Sequence, residues 1–317
     1  MKTRFTDKQG DLFTSLIGSP TPAKVSGLTF TLASIGLIVA SFAFMMVLYL
    51  TGIAAQEGFE KTDGYLYISY LLTPLVFGLV AFALLRWTKT PLQAEWKAQL
   101  CKPKYYAMAV LLQVGLFSLS QLNTLFLQFL SQFGYQEQSI LLPSMDGFGF
   151  VGVLLVVALL PAIFEELIFR GLLLKGLHVF GEVGAVLLCG GLFALYHQNP
   201  AQTLYQFCCG AAFAFVALRS GSILPTVLSH FINNAVILTL TKCGVSTFSP
   251  AVAWSVGIVS FLCLIAAMVW LFMDKQEKQE ELDALTITAE KGRFWKSAGV
   301  GIALCTLIWC TQLLAGM

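Results

Sequence analysis

The chain is 317 residues long, 57% hydrophobic and 11% charged, with a formal net charge of +2. Soluble domains carry roughly 25% charged and roughly 45–50% apolar residues, so these proportions exclude a soluble globular protein and call for an all-α, polytopic transmembrane helix bundle. The small net charge leaves no basic face dense enough to track phosphates, which excludes a nucleic-acid partner.

Residues 1–26 hold Lys2, Arg4, Lys8 and Lys24, with Pro20 and Pro22 near the end, and read as a basic cytoplasmic tail. The first apolar run follows it and is long enough to stay in the bilayer, so no cleavable signal peptide is expected. Apolar runs near 27–52, 66–87, 106–132, 149–175, 182–198, 202–219, 222–241, 250–273 and 297–316 each approach the roughly 17–25 residues a helix needs to cross a bilayer. This gives eight to nine spans. The membrane bundle is expected over 27–273, a charged cytoplasmic loop over 274–296, and an additional C-terminal span over 297–317. With the N-terminus cytoplasmic, 17 of the 19 Lys and Arg fall on the inner side and only Lys61 and Lys242 on the outer one, as the positive-inside bias requires.

Smaller features have ordinary readings. The eight cysteines include no CxxC and lie mostly in apolar runs, where a thiol behaves as a small hydrophobe. Trp87, Trp96, Trp295, Tyr105 and Tyr106 fall near expected inner boundaries, where an aromatic belt forms. His178 is expected at the interface. Gly190, Gly191 and Gly210 allow helices to approach closely.

The fourth run contains PAIFEELIFR, which puts Glu165, Glu166 and Arg170 at bilayer depth. An ionised side chain there costs roughly 2.5–3.5 kcal/mol on insertion scales, so such groups are usually paired and functional. Glu166 and Arg170 are an i,i+4 pair on one helix face, while Glu165 points elsewhere. Glu166 is then a structural partner neutralised by Arg170, and Glu165 remains for chemistry. His197 ends the fifth run as FALYH, four residues after Phe193, and His230 and Asn234 share a face of the seventh. Asn233, on a neighbouring face, is expected to bond another helix. From rise per residue, Glu165 and Asn234 lie about 18 Å from the inner surface, His230 about 12 Å and His197 about 22 Å, so the four can share one cavity.

Two chemistries fit these residues. In one, Glu165 is the general base for a water that His197 helps to hold, and His230 and Asn234 donate to the tetrahedral oxyanion. In the other, Glu165, His197 and His230 bind zinc, which supplies the hydroxide. No HExxH helix favours zinc, and both assignments are open on the residues alone.

The motifs EExxxR (Glu165, Glu166, Arg170), FxxxH (Phe193, His197) and HxxxN (His230, Asn234) occur in that order on consecutive membrane helices. In this the chain resembles the CAAX protease and bacteriocin-processing family of intramembrane proteases, which includes the type II CAAX prenyl endopeptidases. The resemblance covers about residues 145–240. It implies that Glu165 and His197 activate water, that His230 and Asn234 form the oxyanion site, and that Glu166 and Arg170 support the motif. The family core has about eight spans, so the ninth run is read as an addition. The expected activity is endoproteolysis of a prenylated CAAX-like protein or a hydrophobic peptide at the lipid bilayer, in the cell membrane of a bacterium. The alternatives are a non-catalytic bacteriocin-immunity or scaffold protein and, third, a proton-relaying transporter. No repeated halves or paired broken helices support the transporter.

Overall fold

The computed structural model describes residues 20–89, 99–137, 139–245, 248–274 and 283–317, and every regular element among them is helical. In chain order these are α1 (Pro22–Leu50), α2 (Asp63–Thr88), α3 (Pro103–Leu116), α4 (Leu119–Ser131), α5 (149–176), α6 (Gly181–Tyr196), α7 (Thr203–Ser220), α8 (Leu224–Lys242), α9 (Pro250–Met273) and α10 (Ala284–Ala315). Proline opens α1, α3, α8 and α9, where its missing N–H would have no helical partner anyway.

Among the described residues, eight segments are long and apolar enough to cross a membrane; α3 and α4 together form one, and another is the 48-residue stretch Gly149–Tyr196. That long stretch folds back on itself. Phe169 and Phe193 have ring centroids 5.0 Å apart, whereas an unbroken helix would separate them by about 36 Å. The reversal is a tight turn at Leu177–Phe180 followed by Gly181, with φ 77° and ψ 169°, a conformation open essentially to glycine alone. Because α5 and α6 are separate helices, this one stretch accounts for two of the nine apolar runs of the sequence.

The turn between α5 and α6 sits beside the start of α1, where Gly176 N donates to Ser26 Oγ at 2.9 Å. At the opposite end, Gln136 N after α4 donates to Gly316 O at 2.7 Å. Charged groups pair at the first end: Arg219 grips Glu182 through two bonds of 2.6 and 2.7 Å, and Lys104 bonds Asp274.

The additional C-terminal span is packed into the bundle. Thr31 Oγ1 of α1 donates to Ser297 O at 2.6 Å and accepts from Gly301 N at 3.2 Å, and a methyl group on Gly27 would meet Phe294 O at 2.6 Å. This helix starts well before residue 297, because Asp283 accepts from Thr286 N and caps it. The second half of the expected charged loop therefore forms its opening turns, with Arg293 paired to Glu290.

The aromatic belt is only partly present. Trp295 is 46% exposed, but Trp87 is 3% exposed and belongs to the main core with Phe77, Phe169 and Phe294. The end of α2 is covered by neighbouring helices, so its indole contacts protein. Tyr105 likewise joins a second core with Met108 and Phe213, and Trp96 lies outside the described residues.

Candidate active site

The polar centre of the bundle is built on α5. Pro161 has no N–H to give, and the turns on either side of Leu160–Glu166, at Leu154–Leu159 and Leu167–Leu173, are widened to π geometry, a local irregularity that recurs at functional sites. The short α-helical piece between them carries both glutamates.

Glu166 and Arg170 are fully enclosed, and Arg170 Nη1 donates to Glu166 Oε1 at 2.7 Å with both side chains at 0% exposure. The i,i+4 pairing read from the sequence is therefore present. The guanidinium also donates from Nη2 to Gly210 O at 3.0 Å and lies 4.5 Å over the Phe193 ring and 5.4 Å from that of Phe213. Gly210 allows this approach, because α6 and α7 touch there. A methyl at Gly190 would come within 2.8 Å of Ala211 N and Phe207 O.

Glu165 points away from that pair. It is 8% exposed, and its Oε2 is a buried oxygen with no hydrogen-bond partner among the described residues. The imidazole Nε2 of His230 lies 3.8 Å from this oxygen. His230 Nδ1 bonds Glu166 Oε1 at 2.9 Å, so the ring spans the two carboxylates and Glu166 fixes its orientation.

His197 caps α6, and its Nδ1 bonds Phe193 O one turn back at 2.7 Å. A carbonyl only accepts, so Nδ1 carries the hydrogen and Nε2 of a neutral ring is an acceptor. Phe193 separates the two imidazoles, 4.7 Å from His197 and 6.0 Å from His230 between centroids. The four-residue spacing of Phe193 and His197 thus supplies a hydrophobic wall as well as a carbonyl.

The amide of Asn234 is oriented by a chain of bonds from other helices. Asn233 Oδ1 accepts from Gln113 Nε2 at 2.9 Å and from Tyr205 OH at 2.8 Å, so its Nδ2 donates to Asn234 Oδ1 at 3.1 Å. That leaves Asn234 Nδ2 as the donor. Ser229 Oγ holds Gln113 Oε1 in turn at 3.1 Å. Asn233 bonds other helices, as its face suggests. Gln113, Tyr205 and Phe213 were not singled out in the sequence, because nothing in their local spacing marks them. Tyr196, beside His197, is buried against Phe169 and Phe77.

A cavity of about 290 Å³ reaches His197 from the end of the bundle where the chain terminates, lined also by Gln136, Gln198, Asn199, Ile308 and Gln312. All the motif residues that surround Glu165 come from one contiguous part of the chain.

Residues 147–236 match the family model of type II CAAX prenyl endopeptidase Rce1-like proteins. The Rce1-like region holds Glu165, Glu166, Arg170, Phe193, His197, His230 and Asn234, whereas Gln113 and the far wall of the cavity lie outside it. Neither a curated protein nor a solved structure matches the chain. The Rce1-like region and the eight apolar spans among the described residues support an integral, multi-pass membrane protein.

Zinc has a poor fit to these side chains. Nδ1 of each histidine bonds a protein oxygen, which leaves Nε2 as the nitrogen a metal could use, but among the described residues no three His, Cys, Asp or Glu side chains are grouped to hold a metal ion. Glu165, His197 and His230 share one region without forming a ligand shell, so no step below runs through a metal.

Proposed function

We propose that the chain is an intramembrane endopeptidase that hydrolyses a peptide bond of a lipidated or membrane-embedded substrate with water activated by Glu165 and His197. The observation that carries this reading is the buried, unpartnered Oε2 of Glu165, beside a second glutamate already neutralised by Arg170. At 3.8 Å, Glu165 and His230 are too far apart for a direct hydrogen bond and close enough for one oxygen atom to bond both.

Glu165 takes a proton from water as its oxygen attacks the scissile carbonyl carbon, and His197 Nε2 accepts the second water hydrogen bond. The oxyanion that forms receives hydrogen bonds from Asn234 Nδ2 and from His230 Nε2, the latter as an imidazolium held by Glu166 through Nδ1. Glu165 then gives its proton to the leaving amine as the C–N bond breaks. General-base catalysis of this kind contributes about 10²–10⁴-fold and each oxyanion donor about 10²–10³-fold.

The substrates to compare are a prenylated CAAX-like chain end and an unmodified hydrophobic peptide. Purified protein in liposomes is offered a farnesylated CAAX peptide and its unmodified control, each with and without a zinc chelator, and products are read by mass spectrometry. Chelator-resistant cleavage of either peptide supports the glutamate mechanism. Cleavage abolished by the chelator and restored by zinc overturns it. A well-folded protein that cuts neither peptide moves the assignment to a non-catalytic immunity or scaffold role.

A further inference from the structure

Half of the residues that line the cavity beside His197 come from outside the Rce1-like region. Tyr135 and Gln136 come from the segment after α4, and Ile308 and Gln312 from α10. These parts are tied together: Gln136 N donates to Gly316 O, Trp309 Nε1 donates to Thr203 Oγ1 at 2.8 Å, and Gln198 Nε2 reaches Cys305 Sγ at 3.4 Å. Gln198 itself has φ +52°, a left-handed conformation uncommon outside glycine, which persists where the surroundings over-determine it and clusters at ligand sites.

The lining has a distinctive chemistry. Four carboxamides, from Gln136, Gln198, Asn199 and Gln312, face one space with the His197 imidazole, and no Lys, Arg, Asp or Glu is among the lining residues. Asn199 Oδ1 is committed to Ala201 N at 2.9 Å, which leaves its N–H₂ as a donor. A side-chain amide offers one acceptor and two N–H donors, the same groups that an extended peptide backbone needs. It offers nothing to neutralise a carboxylate, whose burial without a partner is costly. A chain that ended three residues beyond the scissile bond would carry its carboxylate within about 10 Å of that bond.

We propose that this amide-lined cavity docks an uncharged, extended peptide segment beside the scissile bond, with α10 as its outer wall, so that the substrate is cut within a continuing chain. This rests on the proteolytic reading above and selects a membrane-anchored peptide over a free CAAX end.

The test is equilibrium binding to full-length Glu165→Gln protein in nanodiscs. The probe is a fluorescent, N-palmitoylated decapeptide of Ala, Ser and Gly, made with either a C-terminal carboxamide or a free carboxylate. The amide form is expected to bind about tenfold more tightly, and Gln312→Leu to weaken it by about three- to tenfold, the effect of one or two neutral hydrogen bonds. Gln312→Lys is expected to shift preference toward the carboxylate. Equal or tighter binding of the carboxylate form, or Gln312 variants that bind as their parent does, overturns the proposal. Gln136→Leu gives a second reading should Gln312→Leu fail to fold. Wild-type protein is assayed for cleavage of the same two peptides. An amide preference in binding without any cleavage counts against proteolysis and leaves the cavity assignment standing. Cleavage with a carboxylate preference does the reverse.

Discussion

Two adjacent glutamates have different surroundings, and the difference comes from single bonds. Oε2 of each is buried without a hydrogen-bond partner among the described residues, but Glu166 Oε1 accepts from Arg170 and bonds His230, whereas Glu165 has His230 Nε2 only at 3.8 Å. Removing one member of an enclosed ion pair strands the other and costs about 3–5 kcal/mol, whereas replacing both with groups of similar volume is often neutral. Arg170→Met should therefore lower thermal stability in detergent by about that amount, and adding Glu166→Gln should recover most of it. Additive losses in this double-mutant cycle would show that the pair is not coupled. The motif spacing was enough to read this pairing, because i,i+4 geometry is local. The bond from His230 to Glu166 spans 64 residues and that from Gln113 to Asn233 spans 120, and no local pattern encodes contacts of that range. Gln113 therefore emerges only from the fold, as a positioning residue for Asn234. Gln113→Leu should lower kcat by about tenfold or more with KM little changed, since the oxyanion donor acts only in the transition state. A rise in KM alone would contradict that role.

Among the helices, α5 and α6 hold the site in place. The sequence gives two apolar runs near 149–175 and 182–198, and the structure joins them through a turn that ends at Gly181. The hairpin sets Phe169 edge-to-face against Phe193, and with them Arg170 and His197 share one aromatic wall. Hydrophobic length sufficed to count these passages. It gave no sign of the π turns around Glu165 and Glu166, since widened turns arise from how Pro161 and the buried charges are accommodated. It also misplaced Trp87, because a run of apolar residues does not tell which end of a helix is covered by neighbours. Gly181→Ala forces a side chain into a backbone region open essentially to glycine, at a cost of about 1–3 kcal/mol. A lower melting temperature is expected, with kcat reduced as the α5–α6 hairpin loosens. Unchanged stability would mean that the turn can relax without strain.

Taken as one molecule, the bundle brings His197 at the end of α6 and His230 of α8 to Glu165 on α5 and closes one side of His197 with a C-terminal span outside the Rce1-like region. The sequence showed that span as an addition. Its tight packing along α1 through Thr31 and Gly301 depends on small residues that carry no hydropathy signal. The Rce1-like region holds Glu165, His197, His230 and Asn234, and the proposed division of labour leaves the reaction to them and substrate selection to the flanking helices. The whole account depends on Glu165 acting as the base. The decisive measurement is kcat/KM for peptide cleavage by wild type and Glu165→Gln in the same liposomes, with thermal unfolding recorded for both. The expected result is a loss of about 10²–10⁴-fold at an essentially unchanged melting temperature. A Glu165→Gln protein that retains wild-type cleavage while folded would contradict the mechanism.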